Sequence, residues 1–191
     1  MIVKRGPTIV VSGPPGSGKT TLARMLAERL GLEHYSTGRI FRSIAEELGV
    51  DLVELSRIAE KDPSIDRRVD SKTIEVARRG GVVIDSHLAA WLVKDLADVR
   101  IGVVAPFNVR VLRIAEREGR GFEEVARETR LREESEKKRF MKYYGVDIND
   151  MTVFDVVINT GTFGPEEVLS VALYVVELIL KKQKRATLLR P

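Results

Sequence analysis

The chain has 191 residues, 43% of them hydrophobic and 31% charged, with a formal net charge of +4, no cysteine and two histidines. That length suits a single domain able to bury a sizeable core. The missing cysteines exclude disulfides and thiolate zinc sites, and His34 and His87 do not form a metal-ligand pair by spacing.

In chain order, Thr8–Ser12 reads as a buried strand. A Gly/Pro loop follows, then a helix over Lys19–Leu30, where Leu22, Met25, Leu26 and Arg29 keep helical spacing and Gly31 is the stop. After a short segment at Glu33–Ser36, helices are expected over Thr37–Leu48 and about 51–60. Asp62-Pro63 opens another that runs to about residue 79, with proline favoured in the first turn and Gly80-Gly81 as the end. Residues 82–84 and 100–104 read as buried strands, the first ending at Asp85 and the second closed by Ala105-Pro106. Phe107–Glu118 returns to helix, Gly119 to Gly121 punctuate, and Phe122–Tyr144 is a long, highly charged helix. Residues 155–158 form a last strand. Gly164-Pro165 opens the final helix, whose apolar stretch is interrupted by Glu177. Strands alternating with helices imply parallel strands joined by right-handed crossovers, hence an α/β three-layer fold with a parallel sheet of about five strands and one domain over 1–191.

The pattern G-x-x-x-x-G-K-[ST] is met by Gly13, Pro14, Pro15, Gly16, Ser17, Gly18, Lys19 and Thr20, with Thr21 following, and it sits between a strand and a helix, the context that pattern requires. Its glycines let successive amides surround phosphate oxygens, and the helix beginning near Lys19 adds its positive end. Lys19 should reach the β- and γ-phosphates of a nucleoside triphosphate, and the Thr20 hydroxyl should meet Mg²⁺. A dinucleotide site is excluded, because the first G-x-G spacing is absent and a Lys-Thr pair is foreign to that motif.

Six stretches in a fixed order, "SGPPGSGKTTLA", "YSTGRIFRSIA", "VVIDSHLAAWL", "APFNVRVLRIAEREG", "REESEKKRFMKYYGVDIND" and "FDVVINTG", cover nearly the whole chain. In these the chain resembles the nucleoside monophosphate kinases, specifically the archaeal-type cytidylate kinases. The resemblance implies a P-loop over 13–21, a helical monophosphate-binding segment over about 36–80 and a mobile helical lid over about 119–145. It implies transfer of the γ-phosphate of ATP, with Mg²⁺, to CMP and dCMP. Kinases for AMP, UMP or shikimate, and a regulatory ATP-binding protein, share the loop and stand as alternatives; a GTPase would need an Asn-Lys-x-Asp that is absent.

The same resemblance assigns roles. Ser36, Thr37 and Gly38 with Arg42 match the monophosphate entrance. Helix spacing sets Arg39 and Arg42 on adjacent turns, Ser36 can cap the helix, and a guanidinium fork at Arg42 suits the acceptor phosphate; the plain alternative is a solvated helix with a serine cap. Asp85, at the carboxyl end of a central strand, either holds Mg²⁺ through water, faces the base, or caps a turn. His87 stands where many members carry arginine, which makes it a minor candidate. Arg132, Glu136 and Arg139 lie at i, i+4 and i+7 on one helix face and match an Arg-acid-Arg pattern in the lid. Arg132 and Arg139 would stabilise the phosphoryl group in flight, Glu136 would orient an arginine or meet acceptor hydroxyls, and Arg130 lies beside them; the alternative is an exposed helix laced with ion pairs. Tyr143 and Tyr144 read as core filling.

Basic residues cluster over 127–142 and 181–190. Nucleic-acid binding is one reading of such clusters and recognition of small phosphorylated ligands another, while a tail like the second is most often a frayed, solvated helix end; small-molecule nucleotides rather than nucleic acid are the expected partners of a monomer. With no apolar run near the roughly 20 residues of a membrane helix and no signal region at the start, a cytoplasmic protein is expected.

Overall fold

Five short β-rich runs, all parallel, make the sheet of this computed structural model, which describes residues 6–188 and their side chains through Arg185. Lys4, Arg5 and Arg190 lie outside the described residues. Strand β1 (Thr8–Ser12) is central, paired on one side with β3 (Val82–Asp85, Val10 opposite Ile84) and on the other with β4 (Val99–Val104, Val10 opposite Arg100). The Glu33–Ser36 segment is an edge strand, β2, beside β3, and β5 (Val156–Asn159) flanks β4, giving the order β2-β3-β1-β4-β5. The crossover from β1 leads past β3 to β2, whereas the one from β3 leads back past β1 to β4, so a crevice opens at the carboxyl ends of β1 and β3, where ligands of such sheets bind.

Strand alternation divides the core into two layers. Ile9, Val11, Val83, Ile101 and Val103 pack against α1 (Lys19–Leu30) and α8 (Pro165–Leu188), through Leu22, Leu26, Ala172 and Val176. Val10, Val82 and Ile84 face α4 (Ser64–Arg79) and α5 (Ala89–Leu92). Neither α5 nor a 3-10 turn at Met151–Val153 is expected from the sequence; four and three residues are too short to show a helical period.

Outside the sheet, α2 (Thr37–Leu48), α3 (Leu52–Lys61) and α4 share a small core of Ile44, Ala45, Leu55 and Val69. Asp51 starts α3 by accepting the Glu54 amide at 2.8 Å, and Gly49 closes α2 with left-handed φ. On the other flank, α6 (Phe107–Glu118) and α7 (Phe122–Tyr144) join through Val111, Ile114, Val125 and Ala126. The far half of α7 lies on α3 and α4: Ser135 donates to the Ser56 carbonyl (3.2 Å), and the Tyr143 hydroxyl meets the Ala59 and Glu60 carbonyls (2.9 and 2.8 Å). Tyr144 donates to the Asp70 carboxylate. The two tyrosines are therefore not core filling. Their rings are partly exposed, and their hydroxyls pin α7 across the crevice.

Candidate functional site

The loop from Gly13 to Thr20 is shaped before any ligand arrives. Gly16 has φ 77° and packs so tightly on α6 that a Cβ there would lie 2.4 Å from the Arg110 carbonyl, and Gly18, with φ 84°, turns the chain into α1. Arg110 is buried beneath the loop, donating to the Pro15 carbonyl (2.9 Å) and the Ala105 carbonyl (3.1 Å) while pairing with Glu133 of α7. The Ser17 carbonyl accepts from Thr160 (2.8 Å), which Arg113 holds in turn through its carbonyl and hydroxyl (2.7 and 3.0 Å). With the loop so braced, the α1 amino end faces the crevice. Lys19 reaches back to the Pro14 carbonyl at 3.3 Å. Burial draws its pKa down and Asp85 and Glu136 oppose that, while Arg132 and Arg42 add to the fall.

Opposite the loop, Ser36 occupies the N-cap position of α2 but makes no cap hydrogen bond. The expected cap is replaced by a bond across two strands: the hydroxyl donates to Asp85 Oδ2 at 3.0 Å, because a buried carboxylate at the end of β3 needs donors more than the helix end does. Asp85 is 1% exposed, and its Oδ1 has no partner among the described residues. Burial pushes its pKa up, but His34, Lys19, Thr20 and Ser36 together hold it below the usual carboxylate value. The Asp85 carboxylate accepts from the Ser36 hydroxyl on the neighbouring strand, with His34 at 3.8 Å, rather than from the amide of a turn. Arg42 projects from α2 with its pKa drawn down by burial, then by Arg117 and Arg132. Such a gathering of cations with few anions is what a bound anion would relieve.

The face of α7 delivers Arg132, Glu136 and Arg139 to the same crevice, but not to the same work. Arg139 is 2% exposed and forms an ion pair with Asp66 of α4, with Phe41 and Phe140 at 5.5 and 5.6 Å from its guanidinium carbon. Expected beside Arg132 over the phosphates, it is held instead by a carboxylate, as a buried guanidinium requires. Glu136 Oε2 lies 2.6 Å from His87 Nδ1. Burial pushes Glu136 up, and His87, Arg132 and Arg139 overcome this and bring it down to about 2. His87, a minor candidate from sequence, thus ties the end of β3 to α7. Arg130 is a correction: it lies over the Phe107 ring at 4.9 Å, away from the crevice.

A cavity of about 350 Å³ unites these groups. Pro15, Gly16, Gly18, Lys19, Thr20 and Thr21 line its loop end, and Ser36, Arg42, Asp85, Arg132, Glu136 and Arg139 its opposite side, with Gly38 and His87. Gly13, Pro14, Ser17, Arg39 and Arg130 do not line it. Sequence reasoning missed Asp66 and Asp70 of α4, the apolar walls Phe41, Val69 and Phe140, and Arg113 and Arg117 of α6. Arg113 and Arg117 carried a signal, two arginines four apart on the helix that follows a central strand; Asp66 and Asp70 look like any solvated helix face. A second cavity, about 140 Å³, adjoins the loop between Gly18, Met25, Arg113, Thr160 and Phe163. Among the described residues no cluster of three or more His, Cys, Asp or Glu could hold a metal on its own, and no helix is long and apolar enough to cross a membrane.

The cytidylate kinase-like family matches residues 8–162. A cytidylate kinase of Staphylothermus marinus is 49% identical over 174 residues, 91% of this chain and 98% of that protein. One from Aeropyrum pernix is 54% identical over 158 residues, 83% and 92% of the two chains. Among solved structures, a gluconokinase from Sinorhizobium meliloti superposes with a TM-score of 0.64 at 16% identity, covering 96% of this chain and 99% of that one. Shikimate kinase from Acinetobacter baumannii does so at 0.58 and 21%, covering 94% and 96%. At such identities the last two speak for the fold, a P-loop kinase architecture.

Proposed function

The chain belongs to the cytidylate kinase-like family, and from that premise we propose that its main cavity transfers the γ-phosphoryl group of ATP to CMP, and to dCMP, giving ADP and CDP or dCDP. One observation carries the reading: a single cavity runs from the phosphate loop to a polar and aromatic recess beneath α7, with Lys19, Arg42, Arg117 and Arg132 around it. Donor and acceptor can thus occupy its two ends and meet between those cations.

Phosphoryl transfer needs little covalent chemistry from a protein; positioning and charge stabilisation do the work. The loop amides and Lys19 hold the donor's β- and γ-phosphates, and the smaller cavity beside Arg113 takes its base. Arg42 grips the acceptor phosphate as a planar fork. Arg132, whose Nε is buried without a partner, turns to the group in flight. Mg²⁺ fits this donor set, since Thr20 opens onto the cavity and Asp85 keeps a buried oxygen free to hold a metal-bound water. When bound it neutralises phosphate charge. α7, pinned over the crevice by Tyr143 and Tyr144, is the lid; closed, it keeps out water that would otherwise hydrolyse ATP.

ADP formation measured with CMP, dCMP, UMP, AMP and shikimate in turn tests the proposal. CMP should give a kcat/KM at least about tenfold above AMP and shikimate. A CMP value no better than that for AMP overturns the cytidylate reading, and acceptor-independent hydrolysis overturns the kinase reading.

A further inference from the structure

The recess under α7 holds two buried polar atoms that the fold leaves unused. Asp66 is 6% exposed; it gives Oδ1 to Arg139, and its Oδ2 has no hydrogen-bond partner among the described residues. Arg139 Nε is also buried and unpartnered. Both side chains line the main cavity, between the apolar walls Phe41, Val69 and Phe140. Buried polar groups are nearly always satisfied, so an orphan acceptor and an orphan donor on one ion pair, in a recess walled by rings, mark a place where a ligand completes the pattern. Asp70, one turn further along α4, is different: it accepts the Tyr144 hydroxyl and is already engaged.

We propose that Asp66 is the residue that reads the acceptor's base, its Oδ2 accepting a hydrogen bond from the exocyclic amine of cytosine, with the Arg139 side chain beside it facing the neighbouring ring nitrogen. The proposal rests on the cytidylate reading above. Cytosine carries an amine donor next to an unprotonated nitrogen acceptor, the complement of a carboxylate oxygen beside a guanidinium N–H. Uracil reverses both: its carbonyl oxygen would face the Asp66 oxygen and its ring N–H would face the guanidinium. Asp66 therefore separates cytosine from uracil. Adenine repeats cytosine's donor and acceptor order, so this contact does not reject it; the size of the apolar slot must.

The test compares two acceptors within one enzyme, so that any loss of folded protein cancels. The acceptors are CMP and the 5′-monophosphate of the pyrimidin-2-one nucleoside, which lacks only the 4-amino group. In the wild-type chain kcat/KM should fall on the order of 100-fold or more when the amine is removed, since a site built around a polar group rejects the ligand that leaves it unpaired. In Asp66→Asn that ratio should shrink to within about fivefold, with UMP gaining relative to CMP, because the side-chain amide can turn its NH₂ to uracil's carbonyl. Asp66→Glu, which keeps the charge, should retain a preference for CMP over UMP. A wild-type ratio below about threefold overturns the proposal without any variant being made, and so does an undiminished ratio in Asp66→Asn. If instead wild-type enzyme prefers AMP to CMP, the cytidylate reading itself has failed; good CMP turnover with an unchanged ratio removes Asp66 alone.

Discussion

The two ends of the cavity are built on different principles. The donor end is backbone: a loop of eight residues whose shape follows from left-handed glycines at 16 and 18 and from Arg110 clamping the Pro15 carbonyl. The acceptor end is side chain: Ser36 on Asp85, Glu136 on His87, Arg139 on Asp66, each bond joining residues 49 to 73 positions apart. A backbone cradle recognises phosphate and nothing else about its ligand, and so serves any kinase of this architecture. Selectivity has to come from the side chains, which can be rearranged without disturbing the cradle.

That contrast is broken most severely at Lys19. Lys19→Ala should lower kcat on the order of 1000-fold or more while leaving the melting temperature nearly unchanged, because the lysine stabilises migrating charge and packs little of the core. Steady-state rates beside a thermal melt check both halves, and turnover near the wild-type level would remove the loop from the mechanism. Next in size is the acceptor side. Arg42→Lys keeps a charge but loses the fork, so KM for CMP should rise about tenfold while KM for ATP and kcat change far less. Equal changes in both KM values would mean that the two ends are not separate sites.

The same contrast explains what could be read from the sequence. The strand, the glycines and the Lys-Thr pair are neighbours in the chain, so their chemistry is written in spacing, and most helices and strands follow from local periodicity, with gaps at the edge strand β2, read only as a short segment, at α5 and at the 3-10 turn. At the acceptor end spacing reports which residues share a helix face, and Arg132, Glu136 and Arg139 do share one. It does not report their partners. Asp66 reaches Arg139 only because α7 folds back over α4, and Ser36 abandons its helix for Asp85 only because β2 lies beside β3. Arg110 carries no mark in the sequence that sets it apart from other helix arginines, and its place beneath the loop depends on how α6 packs. Sequence resemblance supplied the Arg-acid-Arg pattern, and tertiary contact divided its members.

The mildest prediction sharpens the comparison through stability. Asp70 sits in the acceptor recess with its carboxyl pushed up to about 7, by burial and then by the charge of Asp66, against the opposing effects of the Tyr144 hydroxyl and Arg139. An acid raised in this way holds more protons folded than unfolded between about pH 4 and pH 7, so it makes stability fall as pH rises through that window and adds no further slope above it. Asp70→Asn removes the titration and keeps an oxygen for the Tyr144 hydroxyl. Relative to wild type, the variant should therefore gain on the order of 1 kcal/mol at pH 8, a rise of about 2–4 °C in melting temperature for a chain of this size, and gain nothing near pH 4. Melts of both proteins at pH 4, 6 and 8 decide it: the gap between them must open with rising pH. Parallel curves would mean that Asp70 is already ionised in the folded protein, and that the recess is better hydrated than its walls suggest. The loop end has no carboxyl to serve as a counterpart: there the ligand is met by backbone amides, which do not titrate, and by Lys19, whose pKa burial draws down rather than up.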